Sequence, residues 1–374
     1  MRYICQTMDN FKSTALTMDV VLFGSGEYCM RFMNCIGDLT DKIKFIVDNN
    51  KQKHGEELYG IPIEAPERLK EMDESHTLVI ITIENNIEEL YRQVLSMGDY
   101  LIMAGRVLIN DILSTVAEEL YQNQHMIKKV CGLLYDETSK EIYREVIKRR
   151  MLYGECDFSD LIVRGDCEYR LPLQYSESKP KDEVILDCGA YNGDTLKKFI
   201  NTFGPTLKRV YAFECMEESL VKLEKVACYA QNGKYVPDIV IMPYALSDHE
   251  GKMAFAETVK PNGSFLVENR AFAKTSLYES NYVEVNVSTI DTLIPESEKV
   301  TLIKMDIEGS EYEALQGARR VIRECKPRLA ISIYHSGKDY YRLALLVKEL
   351  VPEYKIAIRH HNKNHCDTDM YCWI

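Results

Sequence analysis

Asp187, Gly189, Gly193 and Glu214 are the first residues in this chain whose types and spacing could do chemistry. The first three lie in VILDCGAYNGDT, Val184–Thr195, and the fourth closes VYAFE, Val210–Glu214. The first stretch reads as a buried strand that runs into an acid and then a glycine-punctuated turn. In an open parallel sheet, ligands bind beyond the carboxyl ends of the strands, where the strand order reverses. The helix that follows such a turn points its free N–H groups into it. A dinucleotide fingerprint would read Gly-x-Gly-x-x-Gly, because a pyrophosphate must touch backbone. Here the spacing is Gly-x-x-x-Gly, preceded by Asp-x. That suits a ligand without a pyrophosphate that carries an ammonium, a carboxylate and a ribose. Asp187 can meet the ammonium, the helix end the carboxylate, and Glu214 the ribose hydroxyls. The alternative is that Asp187 and Glu214 only cap the helices that follow them.

A second group stands in IKMDIEGSEYEALQGA, Ile303–Ala318, and in the stretch that ends at His335. Asp306 ends an apolar strand, where a bare carboxylate needs a reason. A helix is expected to begin near Glu308, and there Glu308 and Glu311 could simply complement its dipole. Asp306 and Glu308 could also hold a divalent cation through oxygen ligands. His335, expected at the end of the next strand, has a ring suited to act as a base near neutral pH. His360 and His361 end a later strand and could line the same mouth or lie on the surface. The front of the chain has its own turn, Gly24-x-Gly26-x-x-Cys29, with Asp48 at the end of the second strand; the third glycine of a dinucleotide site is missing.

Elements must position these residues, and the apolar pattern supplies them. DVVLF, IKFIV, TLVIIT and YLIM read as strands alternating with helical stretches, so residues 1–107 are expected to form a parallel α/β unit. Residues 108–181 show helical spacing and end in the polar, proline-bearing QYSESKPKDE, a boundary signal. They read as a helical connector. Residues 182–374 repeat the α/β pattern with VILDCG, RVYAFE, DIVIMPYAL, TLIKMD and RLAISIYH. An antiparallel-looking interlude, KMAFAE and YVEVNVSTID, precedes the fourth strand. YKIAIRHH and DMYCWI close the domain.

Composition narrows the function. At 374 residues the chain exceeds one ordinary domain. Its formal net charge of −12 excludes the basic stripe of a nucleic-acid binder. No apolar run approaches the roughly 18 residues of a membrane span, and the start of the chain is too polar for a secretory signal. Its 12 cysteines include no CxxC pair, and several, such as Cys188 and Cys215, sit in apolar runs, which predicts free core thiols in a reducing, cytoplasmic setting.

The C-terminal third part resembles the FkbM family of S-adenosylmethionine-dependent methyltransferases. The likeness is carried in order by ILDCGAYNGDT, VYAFECMEES, YALSDHEGKMAF, STIDTLI, IKMDIEGSEYEALQGA and PRLAISIYH. It implies a class I methyltransferase sheet with an antiparallel last strand, S-adenosyl-L-methionine as cofactor, and O-methylation of a sugar or other polyol hydroxyl. It implies that Asp187, Gly189, Tyr191 and Gly193 line the methionine half of the cofactor, that Glu214 holds the ribose, and that Ser247 and Asp248 meet the adenine. Asp306, Glu308 and His335 become the catalytic candidates. Where the family often carries an acid in strand five, this chain has Ser332. The front domain, through YGIPIEAPERLKE, is similar to the small Rossmann-like domain of PglD-type sugar acyltransferases. That likeness implies a nucleotide-sugar ligand at Gly24, Gly26 and Asp48, or a role in assembling a homo-oligomer. Two other readings stand beside these: an NAD-dependent dehydrogenase built on the front domain, and a binding protein that kept the fold without catalysis.

Overall fold

The computed structural model describes residues 5–154, 157–163, 181–230, 235–257, 265–266 and 281–374. Most of the polar boundary segment after 173 falls outside them. The chain forms two compact units, one of residues 1–124, 144–160 and 363–365, the other of 125–143, 161–362 and 366–374.

In the first unit, strands β1 (Asp19–Phe23), β2 (Ile43–Val47), β3 (Glu57–Leu58), β4 (Ile61–Glu64), β5 (Thr77–Ile81) and β6 (Leu101–Ala104) form one sheet in the order β3-β4-β2-β1-β5-β6. All neighbours are parallel except the short β3–β4 pair. All five residues of β5 are buried, as expected of a central parallel strand covered on both faces. Gln6 is fully buried and ties three segments together: its Oε1 accepts from the Ala104 N–H, and its Nε2 donates to Leu152 O at 2.7 Å.

The second unit carries a seven-stranded sheet of β7 (Glu183–Cys188), β8 (Leu207–Phe213), β9 (Asp238–Met242), β14 (Leu302–Met305), β15 (Arg328–Ser332), β16 (Lys355–His360) and β17 (Thr368–Trp373). Its order is β16-β17-β15-β14-β7-β8-β9, and β17 runs antiparallel to both of its neighbours. The order reverses at β7, so a crevice opens at the carboxyl ends of β7 and β14. The helix Asp194–Phe203 follows β7 and buries Leu196, Phe199 and Phe203, one stripe at helical spacing, against Ile185, Val210 and Leu302.

A smaller sheet holds β10 (Ala245–Leu246), β11 (Gly251–Glu257), β12 (Phe265–Leu266) and β13 (Asn281–Ser288), with β11 and β13 antiparallel. DIVIMPYAL, expected as one strand, is therefore two. Pro243 has no N–H to continue the ladder, and after it the chain leaves β8 and pairs with β13. The helix after β14 also differs from expectation. It begins at Glu311, because Glu308 (φ 57°) and Gly309 (φ 99°) form a left-handed turn first.

Candidate active site

Lys304 and Asp187 stand opposite each other in the β14–β7 ladder, so their side chains share a face. Asp187 is fully buried, and Lys304 Nζ lies 3.3 Å from its Oδ1. The same ammonium donates to Gly189 O at 2.7 Å and Cys188 O at 3.4 Å. Burial pushes the Asp187 carboxyl up to about 6, against the pull of Lys304. Burial lowers Lys304, but Asp187 and Asp306 outweigh it and hold the ammonium above its ordinary range. The sequence reading missed Lys304. Its signal was present: a lysine inside the apolar run TLIKMD.

The glycines of the turn are demanded by protein rather than by ligand approach. Gly189 has φ 81°, and a Cβ there would stand 2.0 Å from Asp306 O. Gly193 has φ 83°, and its Cβ would meet Val226 of the next helix at 3.0 Å. Tyr191, between them, adopts φ 45° with its side chain largely exposed, a conformation a bulky residue rarely takes. Glu214 gathers the turn: its Oε1 accepts from the N–H groups of Cys215 and Met216 at 2.8 Å each, and its carboxyl also takes the Tyr191 N–H. Burial nevertheless raises its pKa. Ser247 is buried after β10, its N–H bonded to Ser288 O, and Asp248 is half-exposed beside His249 at 2.8 Å. His249 lowers the Asp248 pKa.

At the end of β14 the acids converge on one ring. His335 Nε2 lies 3.3 Å from Asp306 Oδ1 and 3.5 Å from Glu308 Oε2, and Nδ1 lies 3.1 Å from Glu311 Oε1. Glu311 is fully buried and reaches back to accept the Ile307 N–H at 2.8 Å. Tyr334 Oη donates to Asp306 Oδ1 at 3.4 Å. Burial lowers the His335 pKa, but Glu311 and the other carboxylates raise it to about 10. The carboxylates thus favour a protonated ring over the neutral-pH base expected from sequence, and Asp306 and Glu308, with 35% and 46% of their side chains exposed, are the carboxylates of the cluster open to an acceptor. Glu311, read from sequence as a dipole complement, instead holds the ring. His360 bonds Thr368 at 2.8 Å and His361 bonds Tyr371 at 2.8 Å; these strand contacts give neither a role at the cluster. Ser332 Oγ donates to Asp369 on β17.

In the first unit, Asp48 Oδ2 accepts from the Ser25 N–H at 2.8 Å and Oδ1 from the Asn50 N–H at 2.8 Å. The carboxylate expected to meet a sugar hydroxyl is thus occupied in closing the Gly24 turn. Gly24 has φ 105° and accepts from Thr82 Oγ1, whereas a Cβ at Gly26 would meet nothing within 4 Å.

The seven-stranded order, with an antiparallel strand inserted beside its edge and a glycine turn at the reversal, defines the Rossmann-like methyltransferase fold. Residues 187–354 match the profile described as the Methyltransferase FkbM domain, and the second unit carries that domain. Among solved structures, a methyltransferase FkbM from Methylobacillus flagellatus KT is 22% identical, with TM-score 0.59, over 97% of this chain and 93% of that chain. At that identity the likeness is one of fold. A candidate rRNA-methylase from Clostridium thermocellum matches 51% of this chain and 86% of its own at 10% identity and TM-score 0.31, too low to carry an argument. No curated protein sequence matches. No helix among the described residues is long and apolar enough to cross a membrane.

Proposed function

We propose that the chain is an S-adenosylmethionine-dependent O-methyltransferase acting in the cytoplasm on a hydroxyl of a sugar or glycan precursor, as in polysaccharide biosynthesis. One observation carries this reading: the glycine turn after β7 and the acid cluster after β14 are in van der Waals contact, Gly189 against Asp306. A cofactor site and a proton acceptor thereby adjoin. The ammonium of the cofactor would share the buried Asp187 carboxylate with Lys304, which stands 3.3 Å from its Oδ1.

When bound, S-adenosylmethionine supplies an electrophilic methyl on a sulfonium. Asp187 and the Gly189–Gly193 turn hold the methionine half, Tyr191 flanks it, Glu214 meets the ribose, and Ser247 with Asp248 borders the adenine. Asp306 accepts the proton of the acceptor hydroxyl, worth roughly 10²–10⁴-fold in rate. His335 fixes the orientation of Asp306, and Glu308 borders the acceptor. In-line alignment supplies more, up to roughly 7–11 kcal/mol.

Residues 1–107, in this reading, bind a nucleotide or nucleotide sugar and so present the acceptor. Support comes from the Gly24–Gly26 turn: the helix Glu27–Ile36 starts there without a side-chain cap, and Lys53 Nζ stands 3.1 Å from Ser25 Oγ, a cation beside free N–H groups.

Thermal shift of the full chain with S-adenosylhomocysteine, NAD, UDP- and GDP-sugars tests both parts. A ligand at about 100 times its dissociation constant should add roughly 2.7 kcal/mol. Stabilisation by NAD and not by S-adenosylhomocysteine would replace the methyl-transfer reading with a dehydrogenase. Sugar-nucleotide binding unchanged in Gly26→Val would remove the front site.

A further inference from the structure

The cluster around His335 holds more acceptors than the fold uses. Asp306 sits at the carboxyl end of β14, Glu311 in the first turn of the next helix, and His335 in the loop after β15. One ligand-capable atom from each lies within 4.8 Å of the other two. Glu311 is fully buried; its Oε1 accepts the Ile307 N–H and faces His335 Nδ1, and its Oε2 is buried without a hydrogen-bond partner among the described residues. The His335 side chain is nine-tenths buried, and although carboxylates face both ring nitrogens, neither nitrogen makes an aligned hydrogen bond. Lys304 is paired with Asp187 and Arg342 with Asp339 at 2.8 Å, so both cations act on this cluster only at longer range. Glu308 adds a third carboxylate 3.5 Å from Nε2. A divalent ion on one ring nitrogen would take the place of that nitrogen's proton and serve the carboxylates beside it.

We infer that Asp306, Glu311 and His335 form a binding site for one divalent transition-metal ion, of the manganese, iron, cobalt or zinc class. An imidazole nitrogen with carboxylate oxygens selects these ions over magnesium and calcium, which favour all-oxygen sites. Metal–ligand bonds of about 2.0–2.2 Å put neighbouring donors about 3–4 Å apart, so an ion on one ring nitrogen would draw in the carboxylate that faces the other nitrogen, from a starting separation within 4.8 Å. The partly exposed side of Asp306, with Glu308, leaves the ion open to a further oxygen ligand, such as an acceptor hydroxyl. The site stands on its own geometry and does not depend on the methyl-transfer reading.

The test uses the full chain, treated with a chelator and then titrated with Mn²⁺ by electron paramagnetic resonance, with Co²⁺ by visible absorption, and with Mg²⁺ by calorimetry. We expect one Mn²⁺ per chain, bound at least tenfold more tightly than Mg²⁺, and a Co²⁺ spectrum showing nitrogen ligation that His335→Gln removes. Asp306→Asn and Glu311→Gln should each weaken Mn²⁺ at least tenfold while S-adenosylhomocysteine affinity is retained. If Glu311→Gln does not fold, Asp306→Asn decides, since its side chain is partly exposed. No Mn²⁺ binding at millimolar concentration, or affinity unchanged in Asp306→Asn, would overturn the site. A preference for Mg²⁺ would overturn its assignment to a transition metal. Loss of S-adenosylhomocysteine binding with Mn²⁺ binding intact would count against the cofactor reading alone.

Discussion

Replacing Gly189 by alanine should damage the second unit far more than its single added methyl suggests. The backbone there has φ 81°, which costs an L-residue roughly 1–2 kcal/mol. The new Cβ would stand 2.0 Å from Asp306 O and 3.0 Å from Asp306 C. Those are backbone atoms at the end of a central strand, so relief requires β7 and β14 to part. Overpacking of this kind costs about 1–3 kcal/mol and occasionally more. Together the two effects predict a loss of about 2–5 kcal/mol. The assay is urea unfolding followed by tryptophan fluorescence. The chain has 1 tryptophan, Trp373, buried in β17, so the signal reports the unit that contains Gly189. With a slope of roughly 2–3 kcal/mol/M the midpoint should fall by about 1–2 M. Gly26→Ala, where φ is −83° and nothing lies within 4 Å of a Cβ, should leave that midpoint unchanged. A loss below about 1 kcal/mol in Gly189→Ala at unchanged slope would refute the reasoning.

Three further expectations follow from the site. Asp306→Asn should keep S-adenosylhomocysteine affinity within threefold by calorimetry yet lose roughly 10²–10⁴ in turnover once an acceptor is in hand; full turnover would leave the acid without a role in proton transfer. Lys304→Met strands the Asp187 charge in the interior and should cost about 3–5 kcal/mol by the same fluorescence assay, with part of it recovered in Lys304→Met/Asp187→Asn; an undamaged single variant would mean that the pair is dispensable. Asp187 has a folded pKa of about 6, above its unfolded value near 3.9, so its contribution to stability is fully present below about pH 4 and lost as pH rises through 6. Asp187→Asn should therefore flatten the pH dependence of the unfolding midpoint between 4 and 6, and parallel curves would contradict the assigned shift.

Much of the second unit was legible from sequence because its strands are short apolar runs closed by chemistry. The glycine turn, the acid after β14 and the two closing strands all fell where the pattern put them. What was not legible depends on pairing across the sequence. Lys304 faces Asp187 only because β14 lies beside β7 in that register, and no local pattern states a register. The same adjacency explains Gly189, whose neighbour is the Asp306 carbonyl rather than a ligand. Glu311 looked like a dipole complement because its spacing from His335 in sequence conceals a 3.1 Å contact. Glu308 lies in a left-handed turn that the run DIEGSE does not announce, although Gly309 beside it was the available hint. Pro243 was the overlooked local signal: a residue without an N–H inside a supposed strand marked the passage from one sheet to the other.

The insertion of β17 between β15 and β16 has a consequence for synthesis. Among the described residues β16 has no ladder to β15 and joins the sheet through β17. Apart from the isolated bridges of Ile356 to Leu134 and of His360 to Ile162, residues 355–360 therefore find their ladder among the described residues only once residues 368–373 have emerged from the ribosome. Until then β15, which is buried in the finished sheet, presents an unpaired edge of Leu329, Ala330 and Ile331 to whatever is near. The β15 edge is thus covered only when β17 arrives, and β16 enters the sheet together with it, two strands docking as a pair.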